Sequence, residues 1–219
     1  MSALVMKESV EAYRVAAEYL EAGKLVAIPG ATNYAFVLNA LDDRAIDRVY
    51  TIKGRSHQKP LTLLLPPHDV ECHVLVPDAV RPVLCLMGDP IAFVGRAKPG
   101  SELVQRINPH GSTIGFFWLN IPLHKYLYAL TKCPIAGTSL NHSDRPMVRN
   151  GDDAVREFGE LVDLVIDGGE VAFPTEQSTV LDFSVDPVQV LRQGVVGEAE
   201  LRWYLPASGV KLDARGNRA

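Results

Sequence analysis

Two short segments of this 219-residue sequence combine residue types that could bind an anion. The first covers residues 53–61, reads Lys-Gly-Arg-Ser-His-Gln-Lys-Pro-Leu, and follows a segment with helical spacing of apolar residues. Gly54 predicts the end of that helix, so that Lys53 and Arg55 project from a single turn. Basic residues at a helix end also complement the negative end of the helix dipole. For this segment alone, the dipole explanation is the more common one.

The second segment covers residues 137–144 and reads Gly-Thr-Ser-Leu-Asn-His-Ser-Asp after an apolar run. Hydroxyl and amide groups at the end of a strand offer the donors that oxyanion and phosphate sites need. An Asx or Ser/Thr turn into the next element explains the same residues. Taken alone, this segment leaves both interpretations open.

The usual nucleotide and hydrolase signatures do not occur in the sequence. It contains no Gly-Lys-Ser/Thr loop, no G-x-G-x-x-G and no G-x-S-x-G. His68, Cys72 and His73 lie close together, but such a cluster without a second half is a weak pattern for zinc. We therefore expect no metal held by protein side chains.

The elements that must position these segments follow from the apolar pattern. Short apolar runs alternate with helical spacing, which predicts an α/β domain with a largely buried sheet. We predict strands at 25–28, 61–65, 91–94, 113–119, 135–137, 164–166, 179–183 and 188–191. We predict helices at 9–20, after Asp42, and at 78–87, 123–132, 152–158 and 198–205. The predicted organisation is one domain, residues 1–205, and a polar C-terminal tail, residues 206–219, frayed from Lys211 to Ala219.

Bulk composition excludes several classes of protein. A chain that is 47% hydrophobic and 22% charged is not disordered, and a net charge of −4 removes the simplest case for a polyanion or membrane partner. Cys72, Cys85 and Cys133 form no CxxC pair and leave an odd count, which favours a reducing compartment. No signal-peptide pattern or membrane-spanning apolar run occurs. We expect a cytoplasmic protein.

Taken together, the Lys-x-Arg and Ser-x-Asn segments resemble the signature of the YrdC-like family, the threonylcarbamoyl-AMP synthase family. The resemblance runs from about Val10 to Leu205 and keeps the family's motif order. Further matching segments are residues 25–29, Thr32 and Tyr34, and residues 59–61, 113–115, 163–169, 178–180 and 190–194.

The resemblance implies a twisted open mixed sheet flanked by helices, with a concave nucleotide cavity. It implies an enzyme, a nucleotidyltransferase that uses ATP and Mg²⁺ to join L-threonine and bicarbonate into threonylcarbamoyl-AMP, releasing pyrophosphate. A partner transferase would then modify tRNA. Family members have also been described as binding double-stranded RNA.

Residue roles carry over by position in the matching motifs. The resemblance assigns phosphate binding and catalysis to Lys53, Arg55, Ser139 and Asn141. It assigns the nucleotide to Thr113, Arg192 and Lys59, and the second substrate to Thr32, Tyr34, Ser178 and Thr138. Cations and hydrogen-bond donors of these types stabilise the charge that develops during phosphoryl transfer.

The sequence departs from the family pattern mainly on the substrate side. Gly30 stands where the family has Thr, and Ala31 stands where it has an acidic residue. Phe117 replaces an Arg expected to pair with the amino acid's carboxylate, a loss of about 2–5 kcal/mol in binding. Core packing is the alternative explanation for Phe117. Further departures are Asp144, Gln177 and Gln193, and candidate replacements for the lost cation are His142, Arg145 and Arg149.

Three hypotheses about function stay open. The first is threonylcarbamoyl-AMP synthesis, and the second is a divergent paralogue that forms or hydrolyses a different acyl or carbamoyl adenylate. The third is a non-catalytic RNA-binding module, whose basic face would comprise Arg44, Arg48, Lys53, Arg55 and Lys59. Aspartates interleave with these cations, which favours a solvated mixed-charge helix over an RNA surface.

Overall fold

Strands and helices alternate along most of the chain. The computed structural model describes residues 2–81, 84, 90–173 and 175–207. The strands there are β1 (Leu4–Lys7), β2 (Val26–Pro29), β3 (Tyr34–Asn39), β4 (Thr62–Leu65), β5 (Val74–Leu75), β6 (Ile91–Ala97), β7 (Thr113–Trp118), β8 (Ile135–Ser139), β9 (Leu164–Asp167), β10 (Thr179–Asp182) and β11 (Gln189–Arg192). The helices are α1 (Val10–Glu21), α2 (Asp43–Lys53), α3 (Pro67–His73), α4 (Glu102–Ile107), α5 (Pro122–Leu130), α6 (Gly151–Phe158) and α7 (Glu198–Ala207).

The strands form one open mixed sheet, in the order β1-β9-β2-β3-β8-β4-β7-β6-β10-β11, with β5 paired to β6. The parallel pairs are β1–β9, β2–β9, β4–β7 and β6–β10. The remaining neighbours are antiparallel. The predicted fold class, a single α/β domain on an open mixed sheet, is confirmed.

Local capping explains where the first two helices begin and end. The Ser9 hydroxyl accepts a hydrogen bond from the Ala12 amide at the start of α1, and the Asp42 carboxylate accepts two amides at the start of α2. Helix α2 ends at Gly54, which adopts φ 60° in the left-handed region that glycine favours. This turn fixes the direction in which the chain leaves Lys53.

Alternating side chains build a core on each face of the sheet. On one face α2, α4 and α6 pack over the strands, with Phe36, Phe116 and Phe158 fully buried. On the other face α1 and α5 contact each other and cover mainly β2, β3, β8 and β9. Within the described ranges, this second cluster has no member from β6, β10 or β11. That part of the second face is therefore open to a ligand.

Most predicted elements are present, with shifted ends. Five short elements, β1, β3, β5, α3 and α4, were not predicted. Half of the predicted helix at 78–87 lies outside the described residues, and the predicted frayed tail from Lys211 to Ala219 lies entirely outside them. Helix α7 runs to Ala207, two residues past the predicted end of the domain.

Candidate active site

A cavity of about 310 Å³ lies on the open part of the second face. This volume is at the lower end of the range for small-molecule sites, about 300–1,000 Å³. On its floor Thr62 pairs with Gly115 and Gly137, and one step further along the strands Leu64 pairs with Phe117. Gly115 leaves room for a ligand to approach the backbone, whereas a Cβ at Gly137 would already lie 2.9 Å from the Phe36 carbonyl oxygen. Leu64 and Phe117 form an apolar step beside it.

Lys53 joins the two sequence segments, but it is not one of the described residues lining the cavity. Its side chain is buried, and Nζ donates to the carbonyl oxygens of Ser139 (2.5 Å) and Asn141 (2.9 Å) and to Asn141 Oδ1 (2.8 Å). Burial, assisted by the charges of Arg55 and Lys59, lowers the pKa of Lys53 to about 7. The three acceptors favour the protonated form. Lys53 therefore anchors the end of β8.

Ser139 and Asn141 are linked to each other as well as to Lys53. The Ser139 hydroxyl donates to Asn141 Oδ1 (2.7 Å), and Asn141 Nδ2 donates to the carbonyl oxygen of Arg145 (2.8 Å). Ser139 and its neighbour Thr138 line the cavity, whereas Asn141 is not among the described lining residues. Asn141 thus acts on the cavity through Ser139.

Arg55 is the cation of the first segment that does line the cavity. Its Nη1 donates to Thr138 Oγ1 (3.3 Å), and Nη2 donates to the carbonyl oxygens of Lys59 (3.0 Å) and Pro60 (3.1 Å). The guanidinium carbon lies 5.1 Å from the centre of the Tyr50 ring. Nε is buried and has no hydrogen-bond partner among the residues that the structure describes. A buried donor without a partner is costly, and an anionic ligand would supply one.

A second polar cluster lies at the far side of the cavity. The hydroxyls of Thr32 and Ser178 are 3.2 Å apart, and both residues are buried. Arg192 Nε donates to the carbonyl oxygen of Ser178 (2.9 Å), and burial lowers the pKa of this guanidinium. All three residues line the cavity. The structure thus brings together three residues that are distant in the sequence.

Three residues with predicted ligand roles lie elsewhere. Tyr34 is fully buried on the opposite face, because its neighbour Ala35 faces the cavity and successive strand residues alternate. Its hydroxyl donates to the Gly169 carbonyl oxygen and accepts from the Gly168 amide, both at 2.9 Å, and burial raises its pKa to about 12. Thr113 contacts Asn108 at the start of β7. Lys59 is exposed and lies 4.0 Å from an Asp144 carboxylate oxygen.

Phe117 is half-buried and lines the cavity, so the core-packing explanation is wrong: its neighbours Phe116 and Trp118 point to the other face. The three candidate replacements for the family's arginine are not among the described lining residues. Arg145 is exposed, and the His142 ring contacts Ile52 and Phe158. Arg149 Nη1 contacts three carbonyl oxygens. Phe117 thus presents an aromatic ring to the cavity at the position where the family pattern predicts an arginine.

Some residues that line the cavity were not predicted to bind a ligand. His124 is buried at the start of α5, and its Nε2 lies 2.9 Å from the carbonyl oxygen of Pro29. Thr62 and Asn33 also line the cavity. A helix pattern predicted α5 but not which of its turns meets the open part of the sheet.

The cavity's charge is positive. Among its described lining residues Arg55 and Arg192 are cationic, and none is Asp or Glu. Within the same part of the chain, no group of three His, Cys, Asp or Glu side chains could hold a metal ion. Arg55 and Arg192 therefore make the site suited to an anionic ligand.

No helix within the described ranges is long and apolar enough to cross a membrane.

An open mixed α/β sheet whose Lys-x-Arg and Ser-x-Asn segments meet beside a cationic cavity defines the class of domain. The Sua5/YciO/YrdC family model, described as "Telomere recombination", matches residues 18–194. The chain belongs to the Sua5/YciO/YrdC family.

Relatives and a solved structure agree with this assignment. A threonylcarbamoyl-AMP synthase of Pyrococcus abyssi is 31% identical over 199 residues, which cover 86% of this chain and 56% of that protein. A threonylcarbamoyl-AMP synthase of Bos taurus is 34% identical over 189 residues, which cover 80% and 64%. The structure of P. abyssi Sua5 complexed with L-threonine matches all of this chain and 64% of its own, with TM-score 0.85 and 25% identity. This chain thus spans 56–64% of the length of these proteins.

Proposed function

We propose that the protein is an ATP-dependent L-threonylcarbamoyladenylate synthase, which converts L-threonine, bicarbonate and ATP into threonylcarbamoyl-AMP and pyrophosphate. Two relatives of that name, at 31% and 34% identity, support the reaction. The observation that carries the proposal is the cavity itself, where Arg55 and Arg192 face a pocket whose described lining has no acidic residue. Such a site is suited to a polyanion.

The proposed chemistry is an attack by one carbamate oxygen on the α-phosphorus of ATP. The bond from this phosphorus to the oxygen bridging to the β-phosphate breaks, and pyrophosphate leaves with the electron pair. Arg55, together with the hydroxyls of Thr138 and Ser139, would stabilise the negative charge on the phosphate oxygens. Lys53 would not contact the phosphates itself; its hydrogen bonds would hold Ser139 and Asn141 in place. No general base is required once the carbamate exists.

ATP enters as a substrate, and Mg²⁺ would enter with it. The described lining residues offer hydroxyl, amide and carbonyl oxygens but no carboxylate. Mg²⁺ commonly keeps several waters and is shared between substrate phosphates and one or two carboxylates. The residues present therefore do not form a metal site of their own, and the phosphates would supply most of the ligands.

The second substrate would bind beside Thr32, Ser178 and Arg192. The P. abyssi relative was solved in complex with L-threonine, which supports an amino acid as the second substrate. Phe117 on the cavity wall favours one alternative, a family member that activates a different carboxylate or carbamate. Such a substrate would not require the cation that Phe117 replaces.

Partners beyond small molecules follow from the proposed product. Threonylcarbamoyl-AMP is a reactive mixed anhydride, so a transferase that passes the acyl group to tRNA would have to consume it. Direct RNA binding has less support, because Lys53 is buried and Arg48 pairs with Asp163 at 2.6 Å. Two cations of the predicted basic face are thus engaged within the fold.

Pyrophosphate release from ATP and bicarbonate, with and without L-threonine, separates the hypotheses. Release that depends on threonine supports the proposal. Release that is independent of threonine, or that depends on another acid or amine, supports the alternative substrate. A folded protein that releases no pyrophosphate but binds RNA in a salt-sensitive manner would contradict both enzyme hypotheses.

A further inference from the structure

One guanidinium nitrogen outside the cavity connects two loops that carry cavity residues. Arg149 Nη1 donates to the carbonyl oxygens of Thr32 (3.3 Å), Phe173 (3.2 Å) and Glu176 (2.9 Å). Thr32 belongs to the loop between β2 and β3, whereas Phe173 and Glu176 belong to the loop between β9 and β10. Charge-assisted hydrogen bonds of this kind are stronger than neutral ones. Arg149 therefore ties two loops that are far apart in the sequence.

These two loops present the hydroxyl pair at the far side of the cavity. Thr32 Oγ1 and Ser178 Oγ are 3.2 Å apart, and the residues are 2% and 5% exposed. A backbone hydrogen bond from the Phe173 amide to the Ala31 carbonyl oxygen (3.0 Å) is a further tie between the same loops. The separation of the two hydroxyls thus depends on contacts made outside the cavity.

The backbone of Arg149 is itself well anchored. Its carbonyl oxygen accepts the Val171 amide (2.9 Å), and the adjacent Val148 carbonyl oxygen accepts the Tyr34 amide (2.8 Å). The segment that carries Arg149 is therefore attached to β3 on one side and to the loop after β9 on the other. A planar guanidinium fixed at its base can hold several acceptors in one geometry, which the point charge of lysine does less well.

We propose that Arg149 is a positioning residue, which sets the spacing of Thr32 and Ser178 and thereby the affinity for the second substrate without contacting that substrate. The inference rests on the proposed function, since it assigns the hydroxyl pair to the second-substrate side. It differs from a role as a direct carboxylate partner, because Nη1 would have to leave three carbonyl oxygens to reach a ligand.

The test compares Arg149→Met with the matched variant Arg149→Lys and with Thr32→Val. Arg149→Met should raise the KM for threonine about tenfold or more and leave the Kd of a non-hydrolysable ATP analogue within about twofold. Arg149→Lys should fall between the wild type and the Met variant. In a Thr32→Val background, Arg149→Met should add less than about twofold, because both changes act on one unit.

Two results would overturn the proposal. Equal losses of threonine and ATP-analogue affinity, or a lower melting temperature with unchanged KM, would indicate a purely structural role. Multiplication of the Arg149→Met and Thr32→Val effects would show that Arg149 acts independently of Thr32.

A crystal structure of Arg149→Met, or of Arg149→Lys if the Met variant does not fold, tests the geometry without any substrate. The distance between the Thr32 and Ser178 hydroxyls should increase beyond hydrogen-bonding range. An unchanged 3.2 Å separation would contradict the positioning role. If the hydroxyls separate but the wild type shows no threonine-dependent turnover, the proposed function fails and the positioning role stands.

Discussion

Replacing Arg55 by Met tests the phosphate side of the cavity most sharply. The substitution removes a cation that lines the cavity and whose buried Nε has no hydrogen-bond partner in the described part of the chain. It keeps a side chain of similar length, which can still pack on the Tyr50 ring. Removing one partner of a desolvated charge pair costs about 2–5 kcal/mol, or about 30- to 5,000-fold in Kd. Because Arg55 is only half-buried, we expect the lower part of that range, about 30- to 300-fold.

The assay is isothermal titration of a non-hydrolysable ATP analogue into the wild type, Arg55→Met and Arg55→Lys. Lysine keeps the charge but not the forked donor geometry, so its Kd should lie between the other two. The matched control is Arg48→Met, which removes an arginine of the preceding helix α2; Arg48 pairs with Asp163 and is not among the described residues that line the cavity. Urea unfolding of each variant shows whether the fold is retained.

The reasoning is refuted if folded Arg55→Met binds the analogue as tightly as the wild type. Equal weakening by Arg48→Met would also refute it, since the loss would then reflect net charge rather than the cavity.

Three further predictions concern the anchor, the apolar wall and acid stability. Lys53→Met should weaken ATP-analogue binding about tenfold in titration calorimetry, because the carbonyl oxygens of Ser139 and Asn141 lose their shared donor; unchanged Kd would remove Lys53 from the site. Phe117→Arg should raise threonine affinity at least about tenfold, measured by calorimetry beside a Phe117→Leu control, because it restores a carboxylate partner; no gain would mean that threonine's carboxylate binds elsewhere. The Lys7 ammonium and the Gly169 amide lower the pKa of Asp167 from 3.8, so its stabilising contribution is present above about pH 4 and is lost as the pH falls through the folded pKa. Asp167→Asn should therefore flatten urea stability between about pH 4 and pH 2, and a wild-type slope in the variant would contradict this assignment.

Much of the fold could be predicted because strong apolar runs mark buried strands, as at Leu61 to Leu65 and Leu164 to Ile166. Strand β3 is not predicted, because it closely follows the Pro-Gly turn and its apolar residues show no alternation with polar ones. Strand β1 is short and half-exposed at the edge of the sheet, with Leu4 and Val5 both 45% exposed, so it has little burial pattern to detect. Edge elements depend on their neighbours more than on their own sequence.

In the candidate site, only residues that belong to the matching motif segments could be predicted from the sequence. One cavity is lined by residues from separate motif segments: Arg55, Ser139, Thr32, Ser178 and Arg192. Alternation along a strand decides whether a residue faces the ligand or the core, and the motif match did not resolve it for Tyr34. His124 lines the cavity because the start of α5 lies at the edge of the part of the sheet that α5 covers. That position depends on packing between elements that are distant in the sequence.

Formation of a threonylcarbamoyl adenylate is tested most directly by the identity of the product. The purified protein is incubated with ATP, Mg²⁺, L-threonine and bicarbonate labelled with heavy carbon, and the quenched mixture is analysed by mass spectrometry. We expect an adenylate that contains threonine and one labelled carbon, formed together with pyrophosphate and greatly reduced in Arg55→Met. A protein that binds ATP yet forms an adenylate lacking threonine, or forms none, would contradict the proposed function.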